Sequence, residues 1–258
     1  MPNSFPSNAA LMAASFVVAA ITVPSAAAQE CPVTYDQLVN ALRSSVKPKG
    51  GPSNGGLDNN MWASVVTRDG TVCAVAFSGD KPGDQWPGSR AIAMEKANTA
   101  NAMSLPAMAL STANLFAGAQ PGENLYGVIF SSPPSPEIGM GDASAFGSAS
   151  DPMVGKRSGG VIVFGGGLAL YGDNGIVGAL GVSGDSSCAD HNVAWRVRTA
   201  LGLNKVPAGV SPSKNDAIIY DVDARGKSAS GYGHAKCAGR EAEVANEIGA
   251  GVGGVPLK

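Results

Sequence analysis

The chain has 258 residues, 44% of them hydrophobic, and a formal charge of −2, enough for one well-buried core or two small ones. Lys and Arg never gather into a block, which removes the electrostatic footprint of a nucleic-acid binder. With 35 glycines, 17 prolines and 6% aromatics, the composition excludes a coiled coil or helical bundle and points to a turn-rich domain with sizeable loops.

Residues 1–28 read as a signal peptide. Leu11 to Val23 (LMAASFVVAAITV) is uncharged and apolar, and Ala26-Ala27-Ala28 offers a small-x-small cleavage site before Gln29. The apolar run is short for a membrane span and fits a secretory h-region, although no Lys or Arg precedes it. The expectation is a periplasmic or secreted protein with no stable membrane span after processing. The alternative is an uncleaved anchor or a buried N-terminal helix.

Export changes how the four cysteines are read, because disulfides persist in oxidising compartments. Cys31, Cys73, Cys188 and Cys237 permit three pairings. The expected pairing is Cys31–Cys73, pinning the mature N-terminus to an early strand, with Cys188–Cys237 stapling the tail to the domain.

Residues 34–46 (TYDQLVNALRSSV) open on Thr34 as N-cap, with Leu38, Val39, Leu42 and Val46 at helical spacing. Two β-rich runs around Arg68-Asp69-Gly70 predict a hairpin, since Asp-Gly favours a tight reversal. Residues 89–103 are alanine-rich, lack internal Gly or Pro, and are closed by Pro106, which predicts a helix. A short helix is expected over 107–117 and a strand over 125–130 (LYGVIF). The stretch 131–158 has no apolar periodicity and reads as a long loop, functional or mobile. Strands are expected at 161–164, 167–171 and 176–183, then a helix over 190–203 capped by Asp190. Beyond Val206-Pro207 only 217–222 (AIIYDV) reads as a strand. Short turns between strands imply antiparallel pairing, and helices grouped on one face make the class α+β rather than doubly wound.

The chemistry is sparser. Gly178, Gly181 and Gly184 match neither a dinucleotide fingerprint nor a phosphate loop. Ser183 lacks the spacer of a nucleophile elbow, and no catalytic residue is assigned. Cys188-Ala-Asp-His191 and His234-Ala-Lys-Cys237 form a mirrored pair able to supply four zinc ligands. In an exported chain the disulfide is the stronger reading. It would draw His191 and His234 together as candidates for a metal or a haem iron, the bland alternative being two surface histidines beside a staple. In the helix over 89–104, small alanines let it lie close to a sheet or leave room for a flat ligand, and Arg90 or Lys96 can pair with carboxylates there.

Three motifs carry a resemblance. Lys96-Ala97-x-Thr99-Ala100, Gly159-Gly160-Val161, and Gly178-Ala179-x-Gly181-Val182-Ser183-Gly184 followed by Asp190 resemble, in order, the GlcG/HbpS-like haem-binding (haem-degrading domain) family over roughly residues 34–203. The resemblance implies a profilin-like α+β fold, an antiparallel sheet flanked by helices, to which this chain adds an irregular C-terminal extension. It also implies a homo-oligomer and binding of haem or a related tetrapyrrole, and it makes the glycines of 178–184 structural. Where the family often has Pro-Thr after the long helix, this chain has Leu105-Pro106-Ala107. No iron ligand carries over residue by residue; Lys96 and Thr99 transfer as motif positions.

The expected organisation is a signal peptide over 1–28, a domain over 29–203 with the long loop 131–158, and an extension over 204–258. The leading expectation is an exported haem-binding protein that sequesters, senses or degrades its ligand. Propionates would meet Arg90 or Lys96, with Thr99 nearby, and iron would meet His191 and His234. One rival is a non-haem accessory protein or enzyme of organic-acid utilisation using the same cleft; another is a partner-binding module using the long loop and tail.

Overall fold

The computed structural model describes Met1, residues 29–49 and residues 53–253. The expected signal peptide therefore lies, past Met1, outside the described residues. Helix α1 (Tyr35–Val46) starts at a reciprocal cap, in which Thr34 Oγ1 accepts from the Gln37 amide and the Gln37 side chain accepts from the Thr34 amide. Strands β1 (Trp62–Thr67) and β2 (Val72–Phe77) form the expected hairpin. Helix α2 spans Ser89–Met103.

The next segment departs from expectation. The helix expected over 107–117 is reduced to two 3₁₀ turns, Thr112–Leu115 and Ala117–Ala119, because Asn114 Oδ1 accepts from both the amide and the hydroxyl of Ser111 and closes the turn on itself. The strand expected over 125–130 is instead a single helical turn, α3 (Val128–Ser131), entered through Gly127 at φ +87°. Tyr126 and Phe130 remain exposed there.

Strands β3 (Gly167–Gly172) and β4 (Gly175–Ser183) form a second hairpin, followed by α4 (Ser187–Ala200). The run 161–164 joins no ladder; its Ile162 amide donates to the Thr99 side chain instead. In the extension, the strand expected over 217–222 shortens to β5 (Ile218–Ile219), paired in parallel with β6 (Gly251–Val252) beyond helix α5 (Glu241–Glu247).

The main sheet is antiparallel throughout, in the order β2-β1-β4-β3. Side chains alternate between its faces. Ala63, Val65, Ala74, Ala76, Leu168, Leu170, Leu180 and Val182 pack with α1 and α4. Trp62, Val66, Val75, Phe77 and Ala179 pack with Ala93, Met94, Ala97 and Ala100 of α2. Helices thus cover both faces, not one. Burial on both sides explains why these strands are apolar in succession rather than alternating. Each large aliphatic side chain so buried contributes about 1.5–3 kcal/mol.

Gly181 shows why the glycines of β4 are structural. A Cβ built there would lie 1.8 Å from the Ala93 carbonyl oxygen and 2.5 Å from the Ala97 nitrogen. The α2 backbone therefore rests directly on the sheet, with alanine facing glycine. Cys31–Cys73 and Cys188–Cys237 are both disulfides, in the expected pairing. The first ties the N-terminal strap to β2, and the second ties the extension to the first turn of α4.

Candidate functional site

Two of the sequence motifs meet at one side chain, and the third is held by the same helix. Lys96, on α2, is completely buried. Its ammonium donates to Asp190 Oδ2 at 2.6 Å and to the Val182 carbonyl at 3.1 Å, and lies 5.0 Å from the centre of the Phe164 ring. Asp190 Oδ1 accepts from the Asp185 amide at 2.9 Å. Burial pulls the Lys96 ammonium down from its usual range and pushes the Asp190 carboxyl up to about 6, while each partner opposes the other's shift. Asp190 is therefore not the N-cap of α4. That position belongs to Ser186, whose hydroxyl oxygen accepts from the Ala189 amide.

The glycine-rich strap 159–167 is held by the polar face of α2 and by the 3₁₀ turn at Thr112. Asn98 donates to the Gly160 carbonyl, Thr99 Oγ1 accepts from the Ile162 amide, and Thr112 Oγ1 accepts from the Gly167 amide. Gly166 adopts φ +118°, and a Cβ there would sit 2.8 Å from Lys96 Nζ. Only glycine passes over the lysine. Thr99 is thus a clamp for the strap; it also donates to the Glu95 carbonyl.

The extension closes over this assembly. His234 is 2% exposed and His191 is fully buried. His234 Nδ1 donates to the Ala235 carbonyl at 2.6 Å, and Nε2 accepts from the Gly165 amide at 3.3 Å; these partners assign the neutral Nδ1–H tautomer. The ring also packs on Phe116, centroids 4.6 Å apart. His191 lies against Trp195, and neither of its ring nitrogens makes a well-formed hydrogen bond. Burial holds His234 down to about 4 and His191 down to about 3. For His191 the Asp216 charge opposes that effect, the Arg198 and His234 charges add to it, and the Ala250 backbone opposes it least. Glu241, at the start of α5, accepts from the Ser186 hydroxyl at 2.6 Å through Oε1, and Asn192 donates to its carbonyl.

Of the expected ligand residues, the structure brings Lys96, Thr99, His191 and His234 into one neighbourhood, all beneath the surface. Arg90 is elsewhere. It forms a buried ion pair with Asp151, donates to the Ile138 carbonyl and stacks on Phe146 at 3.8 Å. Its work is to anchor the long loop. Grooves of about 350 and 370 Å³ flank α1 and α4, lined by residues such as Gln37, Ala41, Leu201 and Arg196, and neither reaches a histidine. Among the described residues, no three His, Cys, Asp or Glu side chains are grouped to hold a metal ion. Sequence reasoning missed Asp151, Ser186 and Glu241. Only Glu241 left a signal, in the acidic start of an apolar-periodic run (REAEVANEI).

A family model described as haem degrading protein, HbpS-like, matches residues 36–198, the stretch that holds all three motifs. Among curated proteins none matches. Solved structures similar to the chain include Klebsiella pneumoniae protein ORFY, at 19% identity and TM-score 0.46 over 71% of this chain and 98% of that one. A PduOC–heme complex is 25% identical with TM-score 0.43, covering 64% and 89%. A double mutant of Streptomyces reticuli HbpS is 18% identical with TM-score 0.43, covering 74% and 99%.

Proposed function

The chain belongs to the HbpS-like family of haem-degrading proteins, and from that premise we propose that it binds haem or a related tetrapyrrole outside the cytosol. The observation that carries the reading is the family match over residues 36–198, within which the three motifs all pack on α2. In this reading residues 1–28 direct export, 29–203 form the binding domain, 204–258 are an added extension, and the protein works as a homo-oligomer. Two disulfides support an oxidising compartment. No helix among the described residues is long and apolar enough to cross a membrane. The exposed Tyr126 and Phe130 of the α3 turn support a self-association surface.

As folded here, the residues do not fit an iron porphyrin. Both nitrogens of His234 are engaged, His191 is enclosed, and the charges of Arg90 and Lys96 are spent on Asp151 and Asp190. No ligation by these groups is derived from this arrangement. The same engagement favours a second reading, a non-haem small-molecule accessory protein of organic-acid utilisation.

Hemin separates the two. Titrated into the purified full chain, with and without a dithiol reductant, it is expected to show a saturable Soret shift in at least one state. A hemin spectrum unchanged in both, with small hydroxy acids raising the melting temperature, overturns the haem reading in favour of the second.

A further inference from the structure

The mismatch between an enclosed pair of imidazoles and a ligand-binding family has a physical source in the extension. Residues 233–241 lie across the strap and the start of α4 through a few point attachments. To the domain they are the His234–Gly165 and Glu241–Ser186 hydrogen bonds, the Ala117 amide on the Gly233 carbonyl, the Arg240 amide on the Gly55 carbonyl at 2.9 Å, Asn192 on the Glu241 carbonyl, the His234–Phe116 ring contact and the Cys188–Cys237 bond.

The seam beneath them is poorly satisfied. Of eleven buried side-chain N and O atoms lacking a well-formed protein partner among the described residues, four belong to three residues beside it: both nitrogens of His191, Asn192 Oδ1 and Glu241 Oε2. Each such atom raises the free energy of the closed state by its lost hydration. Opening restores water to these atoms. The disulfide is what offsets that tendency.

The bond is also placed to be the more reducible of the two. Cys188 is the second residue of α4, where the partial positive charge of a helix N-terminus stabilises a thiolate. A thiolate so stabilised is the better leaving group in thiol–disulfide exchange. Its Sγ lies 4.0 Å from His234 Nδ1, which bears a proton in the assigned tautomer. Cys73 sits in a strand with no such field. Cys188 is fully buried while Cys237, like Cys31 and Cys73, is partly exposed, so within this bond a reductant reaches Cys237 first, and the order between the two bonds is set by the leaving group rather than by access.

We propose that residues 233–241 are a disulfide-latched cover, and that reduction of Cys188–Cys237 by a dithiol opens access to His234 and His191. This deepens the reading above by giving its site a regulation. The step balances as ordinary exchange. A reductant thiolate attacks Cys237 Sγ and the Cys188–Cys237 bond breaks, with the electron pair leaving on Cys188, which takes a proton from solvent. The reductant's second thiol then displaces Cys237. Two protein thiols and one cyclic disulfide of the reductant result, with two electrons and two protons transferred.

The test uses the fact that the chain has two histidines in all. Diethyl pyrocarbonate acylates accessible neutral imidazole and is read by absorbance and by peptide mass. The full chain is compared with a Cys188→Ser/Cys237→Ser variant that keeps Cys31–Cys73, its sheet checked by circular dichroism. Carbethoxylation of His234 is expected to rise at least tenfold in the variant. Dithiol titration of the native chain, quenched by alkylation, is expected to free Cys188 and Cys237 before Cys31 and Cys73, in step with the gain in histidine reactivity. If the variant fails to fold, this titration decides alone. Equal histidine reactivity before and after loss of the bond, or earlier reduction of Cys31–Cys73, overturns the latch. Hemin that binds neither the closed nor the opened chain overturns the tetrapyrrole reading and leaves the latch standing.

Discussion

The β1–β4 sheet with α2 is buried almost throughout, whereas the extension after residue 203 is buried mainly at 216–220 and at a few positions beyond, and the two are held by different physics. The sheet is stabilised by area and by ladder hydrogen bonds spread over four strands, with helices on either side. The extension has two two-residue strands and one seven-residue helix, and beyond a small apolar cluster of Ile218, Tyr220, Ala245 and Ala250 against Ala113 and Cys188 its attachment is concentrated in the Arg198–Asp216 pair, one disulfide and a limited set of hydrogen bonds. Distributed attachment resists opening everywhere. Concentrated attachment yields when one anchor is cut, and that makes the extension the part of the molecule able to move.

The sharpest way to break the sheet is at Gly181. A Gly181→Ala methyl would overlap the Ala93 carbonyl, 1.8 Å away, so α2 must lift from β4. The expected loss is about 5 kcal/mol, among the largest for a single methyl, seen as a fall in the urea midpoint or as insoluble protein. A change below about 1 kcal/mol would mean that helix and sheet are less tightly seated than described.

The matching cut in the extension is Asp216→Ala. Arg198 donates to both Asp216 oxygens, at 2.6 and 2.7 Å, and to the Ala169 carbonyl. Removing the carboxylate strands a buried guanidinium, at a cost of about 4 kcal/mol. Replacing both partners, Arg198→Met with Asp216→Leu, is expected to recover most of that loss. Urea unfolding distinguishes the outcomes; equal destabilisation of single and double variants would deny that the stranded charge is the cause.

How much of this was legible in sequence divides along the same line. The hairpin at Asp69-Gly70, the capped helix at Thr34 and the β3–β4 pair were readable because local turn chemistry and apolar pattern agree there. The strand expected over 125–130 failed because Gly127 takes a left-handed turn and Tyr126 and Phe130 find no sheet. The run 161–164 failed because Thr99 of α2 takes the Ile162 amide that a neighbouring strand would have used. At the site, Arg90 and Lys96 were noted as charges in an apolar setting, but their partners Asp151 and Asp190 are 61 and 94 residues away, which spacing cannot reveal. The family motifs located the cluster. They could not show that residues outside the family region would cover it.

Acid offers a graded probe of that cover. His234 is held to about 4 by burial, below its ordinary 6.5, so the unfolded chain takes up a proton that the folded chain refuses. Its contribution is fully present above about 6.5 and is lost as pH falls toward 4, by about 3 kcal/mol. Asp190, raised to about 6 by its own burial, acts in the opposite sense over an overlapping range. The measure is therefore the difference between the wild type and His234→Gln. Stability followed by urea titration from pH 7 to 4 is expected to fall more steeply in the wild type. Parallel curves would mean that His234 is already hydrated.

The smallest effect compares two helix starts. Thr34 and Gln37 cap α1 reciprocally, whereas Arg240 at the start of α5 makes no side-chain cap. Thr34→Ala removes the acceptor for the Gln37 amide, at 3.2 Å, on a helix whose inner face is fixed in the core by Leu38 and Leu42. The loss is expected to be about 1 kcal/mol, read as a shift of a few degrees in the melting temperature. Hydrogen exchange should confine the change to the first turn of α1 and leave α5 untouched, because the two helices share no cap and no strand. Spread of the effect into α5 would show that the extension is coupled to the N-terminal helix across the groove beside α4, and the contrast between distributed and concentrated attachment would have to be redrawn.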